Sequence, residues 1–206
     1  IQVGSLNGNT SSTIEGGMVD AANRILAYEI GASNANATFN GIIKNFGTVT
    51  LAPLNIYKKG TGSWTLTGAS TYNPGLFNVD AGTVIMNGSL SGTAVPVTVA
   101  SGDTLSGNGN IAGATTINGT LEGKLNFGSS LGLAGVTNIV VNGFNSGEYD
   151  MINVTGGITN GGTLNVTVNA ANPEVGASIK LINAGSYSGT FATTNLPANY
   201  HFDPSN

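Results

Sequence analysis

Short runs in which apolar and polar residues alternate recur along most of this chain, each closed by Gly, Asn or Asp. From Thr48 onward they read TVTLAPL, SWTLTG, GTVIMNG, VPVTVAS, TTINGTLEG, NIVVNGF, GTLNVTVN and SIKLINAG. A period of two sends neighbouring side chains to opposite faces, the pattern of half-buried β-strands. Turn residues interrupt the runs about every eight to twelve positions, a spacing shared by sandwiches, barrels and solenoids.

Two features favour the solenoid. Several segments share the form G-T-L/V, namely Gly82-Thr83-Val84, Gly119-Thr120-Leu121 and Gly162-Thr163-Leu164, where a Gly turn precedes a strand with alternate residues inward. Long loops are also scarce, and turns such as N-G, G-G and S-G-D let each strand pass directly to the next side of a coil. The expected fold is all-β, a β-solenoid of about ten coils at roughly 20 residues each, about 50 Å long. It forms one domain over 1–206, with 1–47 as less regular end coils and 48–206 as repeat-like coils. MVDAANRILAYEI, from Met18 to Ile30, is weighed as a short helix and read instead as a strand pair in an atypical capping coil.

Composition narrows the functional classes. Charged residues are only 8% of the chain while hydrophobic residues reach 40% and Gly numbers 32, so an ordered, Gly-punctuated fold is implied rather than disorder. Asn, Thr and Ser supply most of the polar surface. A net charge of −4, with six basic residues scattered from Arg24 to Lys180, offers no patch for nucleic acid. With no cysteine, disulfides and thiolate metal sites are excluded. Apolar runs such as Ile139 to Val141 fall far short of the ~20 residues of a transmembrane helix. The start at Ile1, without a basic-then-apolar leader, reads as a processed product or a fragment.

The stretch from Lys58 to Gly88, KKGTGSWTLTGASTYNPGLFNVDAGTVIMNG, resembles the autotransporter-associated β-strand repeat (PATR-like). Lys59, Gly60, Gly62, Trp64, Leu66, Gly68, Tyr72, Gly75, Val79, Gly82, Val84, Asn87 and Gly88 carry the likeness. Ser70, Asn73-Pro74 and Leu76 depart from it. The flanking segments YEIGASNANATFNGIIKN, VASGDTLSGNGNIAGATTINGTLEG, EYDMINVTGGITNGGTLNVTV and GASIKLINAGSYSGTFATTNLPANYHF extend it from about Tyr28 to the C-terminus. The resemblance implies an autotransporter passenger domain, a right-handed parallel β-helix on or outside a Gram-negative type cell, and no particular activity.

Chemistry-bearing clusters are thin. Among ten acidic residues only Glu148 and Asp150 are near neighbours, and they read as a turn entering MINV rather than as a catalytic or calcium pair. Asp103 in SGDTL is a turn residue by preference. His201, the single histidine, lacks a G-x-S-x-G partner. GNGNIAG, from Gly107 to Gly113, has no following Lys or helix pattern and reads as two turns. The chain is therefore expected to be non-catalytic, with no cofactor and no metal.

Solenoid ends expose unpaired backbone groups, so an uncapped coil is a template for another chain. The expected role is a surface or extracellular structural module that self-associates, as an adhesin or a fibre subunit. The partners are other copies of itself, or a host or neighbouring cell surface. Ile1, Val3, Leu6, Phe191, Leu196, Tyr200 and Phe202 are the candidate contact residues. The alternative is a glycan-binding module stacking sugars on Trp64 and Tyr72, and a polysaccharide-acting enzyme ranks below both.

Overall fold

The computed structural model describes residues 1–16, 25–46, 53–170, 176 and 178–203. Among them are 23 strands and no helix. Part of the Met18–Ile30 segment lies outside the described residues, and its end, Leu26–Ile30, is a strand.

The chain winds through three faces in a fixed order. Gln2–Val3 opens the first face, Gly8 bridges to Phe39 on the second, and Thr13–Glu15 lies on the third. The sequence repeats as Leu26–Ile30, Ala37–Phe39 and Ile42–Lys44, and so on to Thr193–Asn195. Every strand-to-strand ladder is parallel. The architecture is a parallel β-helix. Two long strands, Ile152–Asn160 and Ile182–Gly189, turn a corner and serve both the third and first faces, with a register shift between Val154 and Gly157.

The first face has nine levels among the described residues rather than about ten. At ~4.8 Å per level the stack is about 40 Å long. The shortfall arises because the coils are unequal, and those toward both ends exceed the expected repeat. Hydrogen-bonded pairs on successive coils show this, with separations of 27 at Gln2/Glu29 and 28 at Asn45/Asn73. The separation closes to 21 at Ser70/Ser91 and 16 at Glu122/Asn138. It then reopens to 27 at Asn138/Asn165 and 30 at Asn165/Asn195. The solenoid has a waist.

Alternation becomes vertical columns in this fold, because register stacks like on like. Ile56, Phe77, Val97, Thr115, Leu131 and Ile158 form one buried column. Ala37, Trp64, Val84, Leu105, Leu121, Thr137 and Leu164 form another. The three G-T-L/V segments all fall on the second face, with Val84, Leu121 and Leu164 inward in that column. The wide early coils are filled by large rings: Trp64 lies 6.3 Å from Phe77, stacked at 8°, and 6.3 Å from Phe39.

Of the two lysines at the head of the repeat-like stretch, Lys58 rather than Lys59 is the one built into the core. It stands in a column between Ile30 and Val79 and is 1% exposed. Its ammonium donates to the carbonyls of Lys59 at 2.7 Å, Gly60 at 2.7 Å and Ala81 at 3.0 Å, so a charge in the core is met by turn carbonyls of two successive coils. Gly60 makes that turn possible, since its φ is +69° and a Cβ there would lie 2.0 Å from the Gly31 carbonyl oxygen.

Candidate functional site: the terminal coils

The last coil is paired on one side only. Ile182–Gly189 pairs with Ile152–Asn160, and Thr193–Asn195 pairs with Thr163–Val168, and neither has a second strand partner among the described residues. Thr193–Asn195 is exposed throughout and Ile182–Gly189 largely so. Thr194 holds the inward position over Leu164. At the opposite end, among the described residues, Gln2–Val3 pairs only with Leu26–Ile30.

Side-chain amides reinforce the stack outside the core and give it a direction. Asn195 Nδ2 donates to Asn165 Oδ1 at 2.8 Å, Asn165 to Asn138 at 2.9 Å, and Asn138 to Glu122 Oε1 at 2.9 Å. On the third face Asn183 donates to Asn153 at 3.4 Å and Asn153 to Asn126 at 3.0 Å. Asn138, Asn153, Asn165, Asn183 and Asn195 each donate to the coil before them, and Asn138, Asn153 and Asn165 also accept from the coil after. The Oδ1 atoms of Asn183 and Asn195 are consequently the acceptors left at the last level. Such ladders add to backbone pairing in stacked strands. The sequence signal for them is faint: Asn138, Asn165 and Asn195 each sit at the third position of their strand segment, in V-T-N, T-L-N and T-T-N.

The residues expected to make interchain contacts lie mostly against this chain's own core. Val3, Leu6, Phe191, Leu196 and Phe202 are partly buried on it, and Phe191 meets Phe202 edge-on at 5.8 Å. Only Ile1 of that set is prominently exposed, at 62%. Leu196, Tyr200 and Phe202 line a cavity of about 510 Å³ in the last coils. What the ends offer outward is therefore chiefly backbone edge and amide, not these apolar side chains.

Trp64 and Tyr72 are 1% and 0% exposed, so neither presents a ring face on which a sugar could stack. The Trp64 indole N–H donates to the Leu6 carbonyl at 3.1 Å and the Tyr72 hydroxyl to the Leu76 carbonyl at 3.1 Å. The alternative of sugar stacking on Trp64 and Tyr72 is not met, because both rings fill the wide early coils.

Glu148 and Asp150 are engaged in a turn. Glu148 Oε2 accepts from Asn145 N at 3.1 Å and Nδ2 at 3.0 Å, while Asp150 Oδ2 accepts from Val140 N at 2.9 Å. Asp103 likewise accepts from Gly82 N at 2.7 Å. Among the described residues no three His, Cys, Asp or Glu side chains gather into a metal-binding group. No helix there is long and apolar enough to cross a membrane. Comparison with protein-family models, curated proteins and solved structures finds no match to this chain.

Proposed function

We propose that this protein is a non-catalytic structural β-solenoid of the cell surface or extracellular space that associates with further copies of itself, end to end. The observation that carries the reading is the C-terminal coil, whose strands Ile182–Gly189 and Thr193–Asn195 keep one unpaired edge among the described residues. An exposed parallel edge supplies backbone donors and acceptors in the spacing that an incoming strand requires. The Oδ1 atoms of Asn183 and Asn195 extend that edge with two side-chain acceptors aligned to the same direction. A surface poor in charge and rich in amides and hydroxyls opposes stacking little. The likeness of Lys58–Gly88 to the autotransporter-associated repeat supports a passenger-like setting at or outside a Gram-negative type cell.

The test is negative-stain electron microscopy with light scattering across a dilution series. Long particles of constant width that shorten on dilution are expected. Thr194→Lys, which places an inward-pointing charge on the open level, should leave isolated rods of about 40 Å with unchanged circular dichroism. Rods of that length at every concentration in the unmodified protein would overturn end-to-end assembly.

A further inference from the structure

The first and last levels of the described stack hold the two loose ends of the same columns. The column that runs from Ile56 to Ile158 reaches Tyr187 one level further on. At the other end it passes through Tyr28 to Ile1, since Tyr28 pairs with Ile56 and Gln2 with Glu29. Four large apolar or aromatic side chains are exposed among the described residues, and two of them are these, Ile1 at 62% and Tyr187 at 39%. Each stands where its column has no further level to cover it.

The second face ends in the same way. The column of Asn195, Asn165 and Asn138 runs back through Glu122, Ile85 and Thr38, and the bridge of Gly8 to Phe39 sets Asn7 against Thr38. Asn7 Oδ1 accepts from Thr38 N at 2.8 Å, which turns the amide oxygen toward the second coil and leaves Nδ2 without a hydrogen bond among the described residues. Asn195 is the complement, with Nδ2 spent on Asn165 and Oδ1 open. The eight strands of this face and the Gly8 bridge make nine levels, matching the nine of the first face. The end coils are also similar in length, with offsets of 27 at Gln2/Glu29 and 30 at Asn165/Asn195. A single screw displacement of a second copy along the axis therefore sets its Ile1 over Tyr187 and its Asn7 over Asn195.

We infer that the assembly is head to tail: the first coil of one copy docks on the last coil of another, with Asn7 Nδ2 donating to Asn195 Oδ1 and Ile1 packing on Tyr187. The inference rests on the end-to-end reading above and adds its polarity. Tail-to-tail pairing would bring two acceptor ends together and leave both Ile1 side chains in water, whereas head-to-tail contact matches donor with acceptor and continues the parallel ladders. A heterologous contact of this kind along a straight axis repeats without closing, so it yields filaments rather than dimers.

Introduced cysteines test the polarity on the full chain, which has none of its own. Residues one level apart lie within disulfide reach, so the double variant Ile1→Cys/Tyr187→Cys should give a ladder of covalent multimers on non-reducing gels after mild oxidation. Each single variant should stay monomeric on the same gels. Asn7→Asp keeps the acceptor for Thr38 N but loses the donor, and it should raise the concentration needed for assembly about tenfold with unchanged circular dichroism. Long particles in which Tyr187→Cys alone crosslinks to dimers would overturn the head-to-tail polarity and leave end-to-end assembly standing. Long particles without a multimer ladder in the double variant, or an assembly concentration unmoved by Asn7→Asp, would count against it in the same way. Isolated rods of the unmodified protein at every concentration would remove both the polarity and the reading on which it rests.

Discussion

Lys58 and Lys59 show how one residue type takes two roles at adjacent positions. Burial pushes the Lys58 ammonium below the usual lysine range, with the charge of Asp103 opposing that. Lys59 is raised, first by its hydrogen bond to Asp80 at 2.8 Å, on a half-exposed surface. Replacing Lys58 by Met strips three turn carbonyls of their donor, and a loss of about 3 kcal/mol in urea denaturation is expected. Lys59→Met should cost less than about 1 kcal/mol. Tyr72 provides the pH test. Its phenol is held well above the ordinary value of 10.0 by burial, so its stabilising contribution is complete below that value and is lost as pH rises past it. In the unfolded chain the phenol ionises, and in the folded chain it does not. Tyr72→Phe should be about 1 kcal/mol less stable at pH about 8, from the lost hydrogen bond. At pH about 11 the deficit should vanish, because the unmodified protein loses about 1.4 kcal/mol there that the variant keeps.

At the scale of the strand, the waist and the amide ladders divide the work of holding successive coils together. In the short coils of the waist, Val79, Val99, Ile117 and Leu133 stand on successive levels and Phe127 is buried on the neighbouring face, so register there is set by the inward columns. Outside the core, Asn165 both accepts from Asn195 and donates to Asn138, whereas Asn195 bonds in this ladder on one side only. Asn165→Ala should therefore cost about 1 to 2 kcal/mol and Asn195→Ala less than about 0.5 kcal/mol, each read from denaturant midpoints at constant m. Equal effects would show that the ladder contributes nothing beyond surface polarity.

For the whole molecule, a stack in which each coil touches only its neighbours is stabilised by nearest-neighbour pairing, and its two ends are the places where pairing stops. If the last level recruits another copy, apparent thermal stability should rise with protein concentration. That rise should be lost in Thr194→Lys, as measured by scanning calorimetry over a hundredfold concentration range. A melting temperature independent of concentration in both proteins would match isolated rods.

The period of two, the turn residues and the alternation of Val84, Leu121 and Leu164 with outward Thr are legible along the chain, and these point to short strands in a stacked array. Local pattern carries that much because side-chain direction in a strand depends only on its neighbours along the chain. Coil length, the burial of Trp64 and Tyr72, the choice of Lys58 over Lys59 as the core lysine, and the Asn138–Asn165–Asn195 ladder were decided by tertiary structure. Each depends on which residues lie one coil apart, and that separation varies from 16 at Glu122/Asn138 to 30 at Asn165/Asn195.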